Sequence, residues 1–150
     1  KFLKAVEMMD KRKIYTHGFC MLGFPTETEE ELLQTINVAS ESKLHTATFY
    51  TVIPFPGTPL YEWVKENKRE IIDKVDYREI SFDTARFNLT DIPDHIFFSY
   101  NRKAYFKFYA NPRRIYRIIR TYPEPLSLLT YIPMFLFKLT KGLLPYHKCV

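Results

Sequence analysis

Apolar residues recur at helical spacing at the start of the chain and then close up into a continuous run. Phe2, Val6 and Met9 lie three or four positions apart, which predicts an amphipathic helix over residues 1–11. Residues 14–22 end in four consecutive apolar side chains, as is typical of a strand covered on both faces. The pattern therefore predicts a helix that leads into a buried strand.

A second helix and a second strand follow. Thr28 and Glu31 have the spacing of a capping box, in which each side chain accepts a hydrogen bond from the other residue's backbone amide. The helix that they begin is predicted over residues 29–42. The side chains expected to be buried on it are Leu32, Leu33, Ile36 and Ala39. Residues 45–53 are rich in β-branched and aromatic side chains, which predicts a strand.

A turn rich in proline and glycine ends this second strand. Residues 54–57 cannot continue a strand ladder because proline has no amide proton to donate. Thr58 is a good N-cap and Pro59 suits the first helical position, so a helix is predicted over residues 60–67. The order strand, helix, strand, helix is that of a βαβ unit with the next helix attached. It predicts a parallel sheet whose loops gather at one edge.

The two strand ends carry a resemblance to a known family. The first ends in Gly-x-x-x-x-Gly-x-Pro-x-Glu-Thr over residues 18–28, and the second in Pro-x-Pro-Gly-Thr-Pro-Leu-Tyr over residues 54–61. In this order, the motifs resemble the C-terminal part of the barrel of radical S-adenosylmethionine enzymes. The closest branch is the one in which a cobalamin-binding domain often precedes the barrel. The resemblance covers residues 1–66 and implies the fifth and sixth strands of a (β/α)6 partial barrel.

The resemblance, together with the residue pattern of the rest of the chain, predicts three parts. Residues 1–66 are expected to be a barrel fragment, residues 67–89 a linker, and residues 90–150 a helical extension rich in basic and aromatic residues. The predicted fold class is therefore α/β, the C-terminal portion of a partial TIM-type barrel followed by a helical extension. Two strands do not make a stable sheet unaided. We expect exposed apolar strand edges unless the chain swaps, dimerises or packs its own helices across them.

The resemblance also implies a cofactor site where the two strands end, beside the adenosine of S-adenosylmethionine. Met21 and Leu22 would offer apolar contact, Gly23 would keep the wall open, and Glu27 would orient the loop. The implied cofactor-binding residues are Met21, Leu22, Gly23, Glu27, Val52, Ile53 and Pro54. A phosphate-binding loop is disfavoured because glutamates crowd the start of the helix. On the residues alone, a core strand with a tight turn explains the second motif equally well.

The cysteines do not suffice for the chemistry of that family, which needs a 4Fe–4S cluster held by three cysteines in CxxxCxxC. This chain has only Cys20 and Cys149, and Cys20 is expected to be a small buried side chain. His17 stands alone at the start of its strand, away from the edge where barrel enzymes do chemistry. We therefore predict no catalytic residue and no metal ligand here.

The prediction is a fragment of an iron–sulfur oxidoreductase or methyltransferase that is inactive alone. The sequence begins with apolar residues already at helical spacing and without an initiating methionine, which indicates a piece of a longer protein. A missing N-terminal part would supply the cluster, and cobalamin where such a domain precedes the barrel. The substrate is not indicated. No segment resembles a secretory signal, so the expected location is cytoplasmic. Peripheral association with a membrane is left as an open alternative.

Charge is unevenly distributed along the chain. Residues 1–100 hold 12 Lys and Arg against 16 Asp and Glu, whereas residues 101–150 hold 10 against one. Helices are predicted over 90–110 and 112–121. The inward side chains of the second are expected to be Ile115, Ile118 and Ile119. The cations expected on the surface of these helices are Arg102, Lys103, Lys107, Arg113, Arg114, Arg117 and Arg120.

Three interpretations of this basic surface stay open: a solvated face, contact with anionic lipid or a lipid-like substrate, and, less favoured, contact with nucleic acid. The apolar segment 126–137 is shorter than the about 20 residues that span a bilayer. It is expected to lie at a membrane surface or against the missing part of the protein, so the possible membrane contact covers residues 101–141. The alternative function is a non-catalytic α/β module that binds anionic lipid or RNA through its C-terminal helices.

Overall fold

The computed structural model describes residues 1–73, 75–77, 87–130 and 133. Its first elements are α1 (Phe2–Lys11), β1 (His17–Leu22), α2 (Glu29–Glu41), β2 (Thr46–Thr51) and α3 (Pro59–Asn67). They are followed by α4 (Arg69–Ile72), α5 (Asp94–Tyr109), α6 (Pro112–Thr121) and a 3-10 turn (Pro125–Ser127). Much of the predicted linker, half of the apolar segment 126–137, and Cys149 lie outside the described residues.

The two strands form a parallel pair joined through α2. Their register runs from His17 opposite Thr46 to Leu22 opposite Thr51. This confirms the predicted βαβ unit, although both strands are shorter than predicted. The barrel and the three-part division of the chain stay predictions.

One face of the strand pair is covered and the other is open. The core on the covered face contains Leu22, Leu32, Ile36, Ala47, Phe49, Phe97, Ala104 and Phe108, drawn from both strands, α2 and α5. On the other face, Phe19 is 73% exposed and Met21 is 49% exposed. The prediction that β1 is buried on both faces is therefore wrong for this chain. In the described residues, the helices that pack on the strands lie on a single side.

The local signals for helix starts are confirmed. The Thr28 hydroxyl accepts a hydrogen bond from the Glu31 amide at 3.3 Å, and a Glu31 carboxylate oxygen accepts one from the Thr28 amide at 2.9 Å. The hydrogen bonds that the Thr28 amide and, at 2.9 Å, the Thr28 hydroxyl donate to the Glu31 carboxylate lower the pKa of Glu31. The Thr58 hydroxyl caps α3 by accepting a hydrogen bond from the Tyr61 amide at 3.2 Å, and Pro59 is the first residue of that helix.

Three side chains that the pattern placed on the apolar faces of α1 and α2 are exposed, whereas Leu32, Ile36 and Ala39 of α2 are buried as predicted. On α1 the only buried side chain is Val6, whereas Phe2 and Met9 are exposed, because no described element covers that side of the helix. On α2 the predicted core residue Leu33 is 39% exposed, since it lies beside the buried stripe rather than on it.

Helix α6 is oriented differently from the prediction: of the three isoleucines expected to point inward, Ile118 is half-buried and the other two are exposed. Ile115 and Ile119 are about half exposed, at 48% and 51%, and Arg114 is completely buried. The Arg114 guanidinium donates hydrogen bonds to the carbonyl oxygens of Ser40 at 2.8 Å and Ser42 at 2.9 Å. It also bonds to the carbonyl oxygens of Ala39, Leu44 and Phe108, and its centre lies 3.5 Å from the centroid of the Phe108 ring.

Arg114 thereby supplies donors to carbonyl groups at the C-terminal end of α2, which have no partner within the helix. Desolvation, followed by the nearby charge of Arg117, lowers the pKa of Arg114 to about 10. The side chain therefore stays protonated at neutral pH. It belongs to the core rather than to the basic surface on which it was predicted.

Two tyrosines of α5 close the outer edge of β2. The Tyr109 hydroxyl donates to the Ala47 carbonyl at 2.8 Å and accepts from the Ala47 amide at 3.1 Å. The Tyr105 hydroxyl makes the same pair of contacts with Phe49, at 3.3 and 3.1 Å. Burial raises the pKa of Tyr109, so its hydroxyl remains a donor. Side chains thus occupy the backbone groups to which another strand would bind.

Replacing both tyrosines by phenylalanine should lower the free energy of unfolding by about 2 kcal/mol, because buried backbone groups of Ala47 and Phe49 would lose partners. Urea denaturation followed by circular dichroism measures this. Tyr116→Phe is the matched control, since Tyr116 is 65% exposed and should change stability by less than about 0.5 kcal/mol. Equal stability of the double variant and the control would show that the hydroxyls do not hold the edge.

Candidate cofactor-binding site

The structure brings the two glycine–proline strand ends together. Beyond the last ladder pair, the Val52 amide donates a hydrogen bond to the Leu22 carbonyl at 3.0 Å. Because the strands are parallel, both following loops emerge at their carboxyl ends. In open α/β sheets this edge is where ligands bind. The predicted proximity of the two motifs is therefore confirmed.

Glu27 holds the loop that follows β1. One of its carboxylate oxygens accepts hydrogen bonds from the Gly23 amide at 2.6 Å and from the Phe24 amide at 3.1 Å. Gly23 has φ +92°, a region that favours glycine, and a Cβ placed on it would lie 2.7 Å from Cζ of Phe97. Glu27 thus orients the loop as expected, while its part in cofactor binding stays a prediction.

The remaining predicted cofactor-binding residues differ in how much of each is exposed to solvent. Met21 is 49% exposed on the open face of the strands. Leu22, Val52 and Pro54 are almost completely buried, and Ile53 is 9% exposed. Val52 packs in a small apolar cluster with Val64 and Leu89, and the Pro54 carbonyl accepts a hydrogen bond from the Tyr77 hydroxyl at 2.9 Å. A ligand here would meet the side chain of Met21 and chiefly the backbone of the other residues.

Two exposed aromatic rings in the loops were not among the predicted site residues. Phe24 follows β1 and is 45% exposed, and Phe55 follows β2 and is 38% exposed. A shallow cavity of 260 Å³ lies against the first loop and is lined by Phe24, Pro25, Thr26, Glu27 and Glu31. The sequence feature that could have indicated these rings is a large apolar side chain at the variable position of each glycine–proline turn. An exposed ring beside a cavity is a typical contact for a planar ligand.

The described residues contain no group of three or more His, Cys, Asp or Glu side chains that could hold a metal ion. Cys20 is half-buried against the core, and desolvation raises the pKa of its thiol. A protonated, half-buried thiol is a poor metal ligand and a poor nucleophile. This part of the chain therefore does not fit an iron–sulfur cluster.

The two histidines of the strand region lie at the opposite end from the loops. His17 is hydrogen-bonded to the hydroxyls of Thr46 and Thr48, at 2.8 and 3.1 Å. His45 is buried, accepts a hydrogen bond from the Thr16 amide at 3.2 Å, and has its pKa lowered chiefly by desolvation. Neither ring reaches the loop edge, and His17 lies at the start of β1, where the sequence placed it.

The chain is similar in sequence to segments of several known enzymes. No family model matches the chain, and no solved structure matches it significantly. The chain is 29% identical over 111 residues to an uncharacterized methyltransferase of Pyrococcus horikoshii, covering 74% of this chain and 24% of the relative. It is 23% identical over 146 residues to the bacteriochlorophyllide d C-12(1)-methyltransferase of Chlorobaculum tepidum, covering 94% of this chain and 29% of the relative.

A shorter similarity concerns a tRNA-2-methylthio-N(6)-dimethylallyladenosine synthase of Corynebacterium diphtheriae, which is 33% identical over 52 residues. That match covers 35% of this chain and 10% of the synthase. The chain spans about a quarter of the length of the two methyltransferases it matches. It is thus similar to segments of enzymes named for transferring methyl or methylthio groups.

Proposed function

We propose that this chain is the closing part of a radical S-adenosylmethionine methyltransferase, in which β1 and β2 are the last two strands of a partial barrel. The observation that carries the proposal is the hydrogen bond from the Val52 amide to the Leu22 carbonyl, 3.0 Å long, between two motif-bearing strand ends. The similarity to two methyltransferases supports methyl transfer as the reaction class. Substrates of the relatives are not assigned to this chain.

The two lateral edges of the strand pair differ from each other, and this difference supports the proposed barrel. The Thr16 and Leu22 carbonyls accept from β2, so the backbone groups of the odd-numbered residues of β1 point to its other edge. That edge adjoins a groove of 490 Å³ whose lining includes Phe19, Met21 and Val38. The outer edge of β2 is instead closed by the tyrosines of α5. This asymmetry is what a final strand pair needs, because another strand can add on one side alone.

S-adenosylmethionine, once bound, would supply the methyl group or the radical. The chain's own residues position it. Glu27 fixes the backbone of the first loop, and Met21 and Phe24 offer apolar surface to the adenosine. The cluster does not fit the residues of this chain, which has two cysteines in total. In the proposal its ligands come from another part of the parent protein, and no step is assigned to them here.

The first test reads the gene upstream of the codon for Lys1. The proposal requires a CxxxCxxC triplet in the same frame, on the order of 100–200 residues earlier, from the size of such barrels. An open reading frame without that triplet would reject the radical mechanism.

The second test uses the whole protein with its cluster restored under anaerobic conditions. Met21→Asp should slow consumption of S-adenosylmethionine about tenfold or more, because a carboxylate would replace an apolar contact. The iron content should not change. Met8→Asp, at a 53% exposed position of α1, is the matched control. Equal rates for the two variants would remove Met21 and this edge from the cofactor site.

A further inference from the structure

Helix α6 presents an apolar stripe to solvent. Ile115, Tyr116 and Ile119 are 48%, 65% and 51% exposed, and helical spacing places them on neighbouring turns of one side. The stripe faces outward because Arg114 occupies the inward side and is held there by its hydrogen bonds to carbonyl groups. The outward isoleucines are thus a consequence of the fold rather than of local fraying.

The apolar surface continues past the helix. Leu126 is 80% exposed and Leu129 is 61% exposed in the segment that follows. In the described part of the chain, none of the helices combines the length and the hydrophobicity needed to cross a bilayer. The exposed surface therefore suits contact with an interface rather than insertion across one.

Cations border the stripe. Arg113 and Arg120 lie one turn before and one turn after Tyr116, and both are exposed. Arg102, Lys103 and Lys107 of the preceding helix α5 are exposed as well. The sequence contains no Asp or Glu between Asp94 and Glu124. An apolar helix side with cationic borders is the pattern of helices that lie in the headgroup region of anionic membranes.

We propose that the exposed side of α6, with the turn that follows it, docks on the surface of an anionic lipid bilayer. The isoleucines enter the boundary between headgroups and acyl chains, Tyr116 lies at headgroup level, and Arg113 and Arg120 meet lipid phosphates. This docking does not depend on the proposed methyl transfer.

Two other occupants fit the surface less well. A second copy of the chain, paired symmetrically through this stripe, would bring two arginine borders together without acids between them. RNA would use the cations and Tyr116 but would leave Ile115 and Ile119 in contact with water or phosphate. Of these three occupants, anionic lipid satisfies both the charge and the apolar stripe.

The test is flotation of the whole 150-residue chain with vesicles of phosphatidylcholine, with and without phosphatidylglycerol. We expect binding to the mixed vesicles and not to pure phosphatidylcholine. Arg113→Gln with Arg120→Gln should weaken it about 30-fold, and Ile115→Ser with Ile119→Ser at least about tenfold. Raising salt from about 0.1 M to about 1 M should weaken binding too, because the Debye length falls from about 10 Å to about 3 Å.

The matched controls are Lys4→Gln with Arg12→Gln, and Leu3→Ser with Met8→Ser, all at exposed positions on or next to α1. These pairs should bind like the unchanged chain, and circular dichroism verifies that every variant is folded. Four results would overturn the proposal: no flotation, equal binding to uncharged vesicles, binding that neither α6 pair weakens, or self-association in gel filtration that the isoleucine pair abolishes while flotation persists. Binding of a single-stranded RNA without binding of vesicles would assign the surface to nucleic acid instead.

Discussion

Replacing Arg114 by leucine should lower the free energy of unfolding by about 4 kcal/mol, as is typical when one partner of a buried charged hydrogen-bond network is removed. The change would leave the carbonyl oxygens of Ser40, Ser42 and Leu44, among others, buried without their donor. It would also remove the ring contact with Phe108. Urea denaturation of the 150-residue chain measures the loss.

The matched control is Arg113→Leu. Arg113 is the neighbouring arginine, is exposed, and should tolerate the change within about 0.5 kcal/mol. Arg114→Lys should fall between the two, because an ammonium group keeps the charge but cannot reach carbonyls in several directions at once. If Arg114→Leu is as stable as Arg113→Leu, the free-energy cost of burying the Arg114 guanidinium equals the stabilisation that its hydrogen bonds contribute.

The orientation of α6 shows where pattern analysis of this chain failed. Ile115, Ile118 and Ile119 have the spacing of a buried stripe, and a helix normally turns such a stripe inward. Here carbonyl groups at and just after the end of α2, which have no backbone partner within the helix, lie within reach of α6, and Arg114 donates hydrogen bonds to them. That requirement arises from a contact between residues 72 to 75 positions apart along the chain, which helical periodicity does not contain.

Local chemistry, in contrast, was sufficient for the helix starts and the strand pair. The capping box of Thr28 and Glu31 involves four consecutive residues, so its outcome depends little on the rest of the molecule. The same holds for Thr58 and Pro59 at the start of α3. Strand geometry places Ala47 and Thr48 of β2 on opposite faces, and Ala47 is the more buried of the two.

The candidate site was predictable in position and less so in accessibility. Two strand ends with glycine and proline had to meet once the strands were parallel, and they do. Burial of Val52 and Pro54 depends on distant residues, since Leu89 packs against Val52 and the Tyr77 hydroxyl bonds to the Pro54 carbonyl. No motif within the strand could indicate that these side chains would be covered.

Replacing Gly23 by alanine should lower the free energy of unfolding by about 3 kcal/mol, from the sum of two effects. A side chain at φ +92° is strained by about 1–2 kcal/mol. Its Cβ would also lie 2.7 Å from Cζ of Phe97, a core ring that is 1% exposed, and such overpacking costs about 1–3 kcal/mol. Urea denaturation gives the total.

Gly57 provides the control that separates these effects. It has φ +84° in the loop after β2, and nothing lies within 4 Å of a Cβ placed on it. Gly57→Ala therefore measures strain alone and should cost about 1 kcal/mol. Combining Gly23→Ala with Phe97→Leu should recover part of the loss, because the shorter side chain withdraws from the new methyl group. If both glycine variants lose the same stability, Phe97 does not constrain the loop. Helix α5 then makes no contact that fixes the loop where the cofactor is proposed to bind.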